Sequence, residues 1–131
     1  MGGKDGGECM ILGTGIDIIE IQRVKDAFST ERRRNRIFTS REIECFGENH
    51  SRMAGFFSAK EALSKALGTG IRGISFREME IQKDQEGKPY FNMELLGPHL
   101  KRIFRTEKVS VHLTISHDRE RAIAMVIIEE E

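Results

Sequence analysis

The stretch "FFSAKEALSKALGTG" (Phe56–Gly70) joins one long helix to a glycine-rich ending. Apolar side chains recur in it at helical spacing, and the predicted core face consists of Phe56, Ala59, Leu63, Ala66 and Leu67. Gly68 alone would suffice to end the helix in a left-handed conformation. Gly70 and Gly73 are surplus to that task, and without side chains they leave backbone N–H groups open to a ligand. The pattern therefore predicts a helix whose end carries function.

The opposite face of this helix is predicted to carry Phe57, Glu61, Ser64 and Lys65. One interpretation is a solvated face with a single Glu–Lys pair, which stabilises a helix by about 0.3–0.5 kcal/mol. The other is a site for a phosphorylated ligand. The dipole at a helix C-terminus repels phosphate, so the Gly68–Gly70 turn would pack on a nucleoside and Lys65 would take the phosphate. This order differs from that of a phosphate-binding P-loop, and no GxxxxGK[ST] motif is present.

Asp17 places a carboxylate inside the apolar segment "GIDII". A buried, unpaired carboxylate costs several kcal/mol, so Asp17 must end a strand, pair with a cation or bind a metal. As a strand-end residue it could cap the helix that follows. Together with Glu61 it could instead offer two oxygen ligands to Mg²⁺, which takes only one or two protein carboxylates.

Two further features allow both a structural and a functional interpretation. His117 lies where the alternating segment "VSVHLTIS" enters a turn, and it is either a turn residue or a catalyst. The basic residues of the N-terminal half are Arg23, Lys25, Arg32, Arg33, Arg34, Arg36 and Arg41. They form either a solvated surface or a docking site for an acidic partner. Nucleic acid is a weaker candidate, because aromatic residues are sparse and no nucleic-acid-binding motif is present.

The chain as a whole limits the classes of function. Its 131 residues suggest one domain, and a formal net charge of zero gives no general attraction to nucleic acid or anionic membranes. No apolar run approaches the roughly 18 residues of a spanning helix, and Cys9 and Cys45 have no metal-type spacing. We expect a cytoplasmic protein with a tail at residues 1–9 and a domain at residues 10–131.

The order of predicted elements favours an α+β fold with a largely antiparallel sheet. The predicted strands are Met10–Ile19, Phe76–Lys83, Lys88–Leu95, Val109–Ser116 and a last strand from Arg121. The predicted helices begin at Ile21, at Ser40 after the capping box "TSRE", at Arg52 and at Pro98.

Five segments together resemble the holo-acyl-carrier-protein synthase family, the small bacterial type of 4′-phosphopantetheinyl transferase. They are "GTGIDIIEIQRV" (Gly13–Val24), "IFTSRE" (Ile37–Glu42), "FSAKEALSKALGTGI" (Phe57–Ile71), "EGKPYF" (Glu86–Phe91) and "LTISHDRERAIAMVI" (Leu113–Ile127). The pairing of "GIDI" with "KEAxxKAxGTG" is the most specific part. The resemblance extends from Met10 to about Ile128 and implies the α+β fold of that family, with one copy of the folding unit per subunit.

The resemblance also implies a reaction in fatty acid biosynthesis. Such enzymes transfer phosphopantetheine from coenzyme A to a serine of apo-acyl carrier protein and release adenosine 3′,5′-bisphosphate. Mg²⁺ would be held by Asp17 and Glu61, and either Glu61 or a metal-bound water would be the base. Lys65 and His117 would be catalytic and would contact coenzyme A.

Three further expectations follow from the same resemblance. The turn made by Gly68, Thr69 and Gly70 would line the nucleotide of coenzyme A. Arg23 would dock the acidic helix of the carrier protein. The subunits would form a homotrimer with active sites at the interfaces, where Met125 and Ile127 are candidate seam residues.

One position departs from the family pattern. Many members have "AGRF" or "AGRW", with an arginine that helps to bind a phosphate of coenzyme A, whereas this chain has "AGFF" with Phe56 there. Arg52, one helical turn earlier, could replace that arginine. Two other functions stay open: a binding module for acidic proteins that has lost catalysis, and a metal-dependent phosphohydrolase using the same carboxylates.

Overall fold

The computed structural model describes residues 9–131, and residues 1–8 of the expected tail lie outside this range. The strands are β1 (Met10–Glu20), β2 (Ile81–Lys83), β3 (Pro89–Phe91), β4 (Val109–His117) and β5 (Arg121–Glu130). The helices are α1 (Ile21–Ala27), α2 (Glu31–Ile37), α3 (Ser40–Phe46), α4 (His50–Leu67) and α5 (Met93–Phe104). Short 3₁₀ turns lie at Gly68–Ile71 and Phe76–Glu78. The predicted α+β class is confirmed.

The main sheet has the strand order β1-β5-β4, and both pairings are antiparallel. The central strand β5 alternates strictly between the two faces of this sheet. Its buried residues, which face α4, are Ala122, Ala124, Val126 and Ile128. Its other face points away from α4 and carries Met125, which is 42% exposed. A second sheet is the β2–β3 hairpin, whose strand β3 lies beside β4.

Strand β1 lies directly against the backbone of α4. A Cβ atom added at Gly15 would overlap the carbonyl oxygen of Ala62, and one added at Gly13 would overlap that of Ala66. Only glycine allows two backbones to approach so closely. The glycines that interrupt the predicted strand are therefore what allow α4 to pack on it.

Helix α4 is not amphipathic in the predicted sense, because the protein surrounds it on most sides. The predicted core residues Phe56, Ala59, Leu63 and Leu67 are buried, whereas Ala66 is half-buried. The prediction for Phe57 was wrong, since its ring packs on those of Phe28 and Phe76 with centroids 5.2 and 6.3 Å away. Lys60, which the sequence analysis left unassigned, is completely buried.

Capping side chains explain both the successes and the errors in the other helices. The capping box of Thr39 and Glu42 is present, and α3 begins at Ser40 as predicted. The predicted strand Phe76–Lys83 is wrong in its first half, where Ser75 and Glu78 form a capping box around a 3₁₀ turn. The predicted strand Lys88–Leu95 is too long.

The start of one helix and the presence of another also differ from the predictions. Helix α5 begins at Met93 because the Asn92 side chain accepts a hydrogen bond from the backbone N–H of Glu94, and Pro98 consequently lies inside the helix. Helix α2 was not predicted, although the Thr30 side chain caps its N-terminus. Within residues 9–131, none of the helices is long and apolar enough to cross a bilayer.

The close contact between β1 and α4 predicts that one methyl group added to β1 would destabilise the fold strongly. Replacing Gly15 with alanine should lower the free energy of unfolding by roughly 2–3 kcal/mol, because the strand must move off the helix. Equilibrium urea denaturation followed by circular dichroism would measure this change.

Gly97→Ala is the matched control for that substitution. Gly97 lies within α5, and an added Cβ there would meet no atom within 4 Å outside its chain neighbours. This variant should change the free energy of unfolding by less than about 1 kcal/mol, because the helix propensity of alanine opposes its crowding against the Pro98 ring. Equal stability of Gly15→Ala and the wild type would show that the close approach does not constrain the fold.

Candidate active site

Asp17 lies on the face of β1 that contacts α4, and its side chain is only 14% exposed. The buried Ser58 hydroxyl is 2.9 Å from the Asp17 carbonyl oxygen and 3.0 Å from its Oδ2. Lys65 Nζ donates to the carbonyl of Ile16 at 3.0 Å and to Asp17 Oδ1 at 3.2 Å. The helix-capping alternative is wrong, since Glu20 occupies the N-cap of α1 and no side chain caps it. Asp17 instead joins β1 to α4.

Glu61 lies near Asp17, so the structure brings together the two predicted carboxylates. Burial raises the pKa of Glu61 above its ordinary value, and the negative charge of Asp17 raises it further. The Lys65 ammonium acts in the opposite direction. A half-buried carboxylate next to a second one is an arrangement that a bound cation would stabilise.

The number of oxygen ligands suits Mg²⁺ better than metals that need a full protein cage. Among residues 9–131, histidine, cysteine and carboxylate side chains form no cluster of three or more suited to a metal. Asp17 and Glu61 supply two hard oxygen donors, and Mg²⁺ commonly fills its remaining positions with water and phosphate. The residues present therefore fit that ion.

Ser64 does not join this group, contrary to the prediction. Its hydroxyl donates to the carbonyl of Lys60 at 2.9 Å and lies 4.0 Å from the sulfur of the buried Met79. Ser58 is the residue that the sequence analysis missed. Its spacing from Ala62 and Ala66, four residues each, could have identified the small side chains that face β1.

The predicted nucleotide turn begins at Gly68, three residues after Lys65. Gly68 has a φ of 57° and its N–H donates to the carbonyl of Ser64, so it ends α4 as expected. Gly68 and Thr69 are exposed, and they continue through Gly70 into the 3₁₀ turn. The turn therefore adjoins the Lys65 end of the candidate site. Gly73, with a φ of 86°, is needed for its own backbone conformation.

His117 lies apart from Asp17 within the same subunit. It pairs with Ala122 of β5, which in turn pairs with Ile19 of β1. Two strand spacings of about 4.8 Å thus separate its backbone from β1. Its Nδ1 lies 3.1 Å from the carbonyl oxygen of Asp118, and the side chain is exposed.

A cavity of about 220 Å³ adjoins His117. Its lining includes the cationic side chains of Arg52 and Lys83 and no carboxylate. Phe56, which replaces the arginine of the family pattern, is also part of the lining, although its ring packs against Phe46 and is 1% exposed. The chain therefore carries two separate groups of candidate site residues, named half-sites below: one with Asp17, Glu61 and Lys65, the other with Arg52 and His117.

Two surfaces flank these half-sites. Arg23 is exposed on α1, and the unpredicted helix α2 presents the exposed residues Arg32, Arg33 and Arg36 next to it in sequence. The sheet face opposite α4 is apolar on β1, where Ile16 and Ile18 are 56% and 62% exposed, and polar on β4. Met125 and Ile127 of the predicted seam lie on that same face.

Comparison with known proteins identifies relatives that cover nearly the whole chain. A model of the 4′-phosphopantetheinyl transferase superfamily matches residues 13–126. The holo-[acyl-carrier-protein] synthase of Clostridium tetani is 47% identical over an alignment of 126 residues, which covers 93% of this chain and 98% of that protein.

Solved structures give the same result. The holo-(acyl-carrier-protein) synthase of Bacillus anthracis, in complex with CoA (3′,5′-ADP), has 36% identity and a TM-score of 0.75, covering 93% of this chain and 99% of its own. The holo-[acyl-carrier-protein] synthase of Helicobacter pylori, in complex with coenzyme A, has 32% identity and a TM-score of 0.69, covering 88% and 98%.

The proximity of the two carboxylates predicts a measurable coupling. Replacing Asp17 with asparagine removes the negative charge that disfavours ionised Glu61, so the pKa of Glu61 should fall towards its ordinary value. A ¹³C-detected NMR titration of the glutamate carboxyl groups measures this. Asp26→Asn, on exposed α1, is the control and should leave the pKa of Glu61 unchanged. An unaltered pKa in the Asp17 variant would show that burial alone causes the shift.

Proposed function

The chain belongs to the 4′-phosphopantetheinyl transferase superfamily, and from that premise we propose that it transfers phosphopantetheine from coenzyme A to a serine of apo-acyl carrier protein. Adenosine 3′,5′-bisphosphate is the second product. The observation that carries the proposal is the convergence of Asp17, Glu61 and Lys65 where β1 meets α4. The names of the relatives and their complexes with coenzyme A support it. The reaction would serve fatty acid biosynthesis in the cytoplasm.

Asp17 and Glu61 would hold Mg²⁺ in this enzyme. The ion, when bound, neutralises charge on the diphosphate of coenzyme A during transfer. The single Ser58 hydroxyl hydrogen, shared between the Asp17 carbonyl oxygen and Oδ2, orients this ligand before the reaction. A preorganised charge costs little reorganisation at the moment of transfer.

Two side chains would carry out the remaining steps. The carrier serine Oγ attacks the β-phosphorus, and the bond between this phosphorus and the oxygen bridging to the α-phosphate breaks. Glu61 is our candidate to accept the serine proton, because its carboxylate would lie beside the reacting diphosphate. Lys65 would exchange Asp17 for the α-phosphate of the leaving adenosine 3′,5′-bisphosphate and stabilise its charge. Gly68, Thr69 and Gly70 would line the nucleotide.

We propose a homotrimer in which the half-site around Asp17 in one subunit meets the half-site around His117 in the next. The separation of the two half-sites within the subunit supports this assembly, as does the exposed apolar face around Ile16, Ile18 and Met125. His117 would orient the diphosphate. Arg52 and Lys83 would provide the cationic contacts that Phe56 lacks.

The first test is a transfer assay with apo-acyl carrier protein, coenzyme A and Mg²⁺, followed by mass spectrometry of the carrier. We expect a mass gain of one phosphopantetheine group. Asp17→Asn and Glu61→Gln should each lower the rate by roughly a hundredfold or more, because each removes one charged oxygen ligand. Chelation of divalent ions with EDTA should stop transfer and added Mg²⁺ should restore it.

Asp26→Asn is the control in that assay, because it removes an exposed carboxylate that belongs to neither half-site. Full transfer by either site variant would contradict the two-ligand arrangement. Binding of the carrier without mass gain would instead indicate a binding module. Release of adenosine 3′,5′-bisphosphate in the absence of carrier would indicate a phosphohydrolase.

Docking of the carrier generates a separate prediction. Arg23→Glu reverses a charge on the exposed face of α1 and should raise the KM for acyl carrier protein roughly tenfold at low salt, since rim charges steer association. The KM for coenzyme A should stay the same. Lys101→Glu, which changes an exposed charge on α5, is the matched control. A change confined to coenzyme A would remove Arg23 from the docking surface.

A further inference from the structure

Lys60 is a completely buried cation that the proposed reaction does not use. Its ammonium group donates to Glu42 Oε1 at 2.9 Å and to the carbonyls of Phe76 at 2.7 Å and Met79 at 3.1 Å. An ammonium group has three N–H donors, so each of them has a partner here. Two of the three partners belong to the segment that leads from the nucleotide turn to β2.

Glu42 holds Lys60 from the other side. Its carboxylate also accepts hydrogen bonds from the backbone N–H groups of Thr39 and Ile81, both at 2.9 Å. Burial raises the pKa of Glu42 and lowers that of Lys60, while the charge of each partner opposes the shift of the other. The pair is therefore held at a defined point between α3, α4 and the start of β2.

The chain path gives this buried pair a second consequence. The segment at residues 68–75 leaves α4 at its C-terminal end, and the following residues return to α4 at Lys60. Lys60 and Leu67 are seven positions apart, or about 10 Å along the helix axis. The segment at residues 68–79, which contains the nucleotide turn, thus begins and ends on the same helix. Arg77 supports the returning end by donating to the carbonyls of Asn35 and Phe38.

Loss of the Lys60 ammonium would remove two of the hydrogen bonds that hold the returning end of this segment, while those of Arg77 would stay. Residues 68–73 contain three glycines, and the backbone freedom of glycine makes such a segment dependent on its anchors. Ile71 and Ile74 pack only partly against the core. The Lys60 hydrogen bonds are therefore a polar attachment that, together with those of Arg77 and Arg102, limits where the turn can lie relative to Lys65.

We propose that Lys60 is a positioning residue, which holds the turn at Gly68–Ile71 where coenzyme A binds by tying the end of the 68–79 segment to α4. The inference rests on the proposed function, because it concerns the coenzyme A site. It assigns Lys60 no contact with substrate or metal.

The experiment compares Lys60→Met with the double variant Lys60→Met/Glu42→Gln. Methionine keeps most of the buried volume but removes all three donors. The single variant leaves Glu42 buried without its cation and should be markedly less stable. The double variant removes both charges and should recover part of that stability, because the amide oxygen can still accept from one of the two backbone N–H groups that Glu42 binds. The carbonyls of Phe76 and Met79 still lack their donor.

Three readouts separate positioning from simple support of the core. In both variants the KM for coenzyme A should rise roughly tenfold, since a small misplacement of binding groups is costly, while the KM for acyl carrier protein stays within about twofold. Amide hydrogen exchange at residues 68–75 should become faster in both. Lys101→Met, which removes an exposed ammonium paired with Glu107, is the control and should change neither.

Recovery of both stability and the KM for coenzyme A in the double variant would overturn the proposal, since Lys60 would then only support the core. Unchanged exchange at residues 68–75 would overturn it as well. Failure of the proposed function is distinguishable, because the wild-type chain would then transfer no phosphopantetheine. The exchange measurement needs no substrate and would still report whether Lys60 holds the segment.

Discussion

The close approach of β1 to α4 is the constraint on which the rest of the structure depends. Two residues of a strand advance about 6.6 Å and four residues of a helix advance about 6.0 Å, so the two elements stay matched over several repeats. Gly13 meets Ala66, Gly15 meets Ala62 and, in the next step, Asp17 meets Ser58. The packing of β1 on α4 thus determines where the Asp17 carboxylate lies.

The relative positions of site residues within one helix could be predicted from the sequence, whereas the contacts between β1 and α4 could not. The spacing of Glu61 and Lys65 within α4 follows from helical geometry, and both lie near Asp17 as expected. The strand that faces α4 cannot be read from periodicity, because it depends on the two glycines meeting small residues far away in sequence. Ser58 was missed for that reason. The roles of the three charged residues in transfer remain predictions.

The errors in the predicted faces of α4 have one physical cause: other elements of the protein bury this helix on several sides. The sequence analysis divided α4 into an apolar and a solvated face, yet the sheet, α1, α3 and the Phe76 turn all contact it. Phe57 therefore packs in an aromatic cluster, and the charge of Lys60 is neutralised by Glu42, 18 positions earlier. Helix α2 escaped prediction because its arginines show no apolar period; the cap at Thr30 is local and could have revealed it.

The alternation of β1 connects the candidate site to the proposed assembly. Asp17 points towards α4, whereas Ile16 and Ile18 on either side of it lie on the opposite, exposed face. A slip of one residue would exchange these faces, placing an isoleucine against Ser58 and the carboxylate on the apolar surface. Gly13 and Gly15 prevent that slip, because no other residues of β1 allow the helix so close. The same two glycines therefore fix both the carboxylate of one half-site and the apolar face that, in the proposed trimer, would bring the other half-site to it.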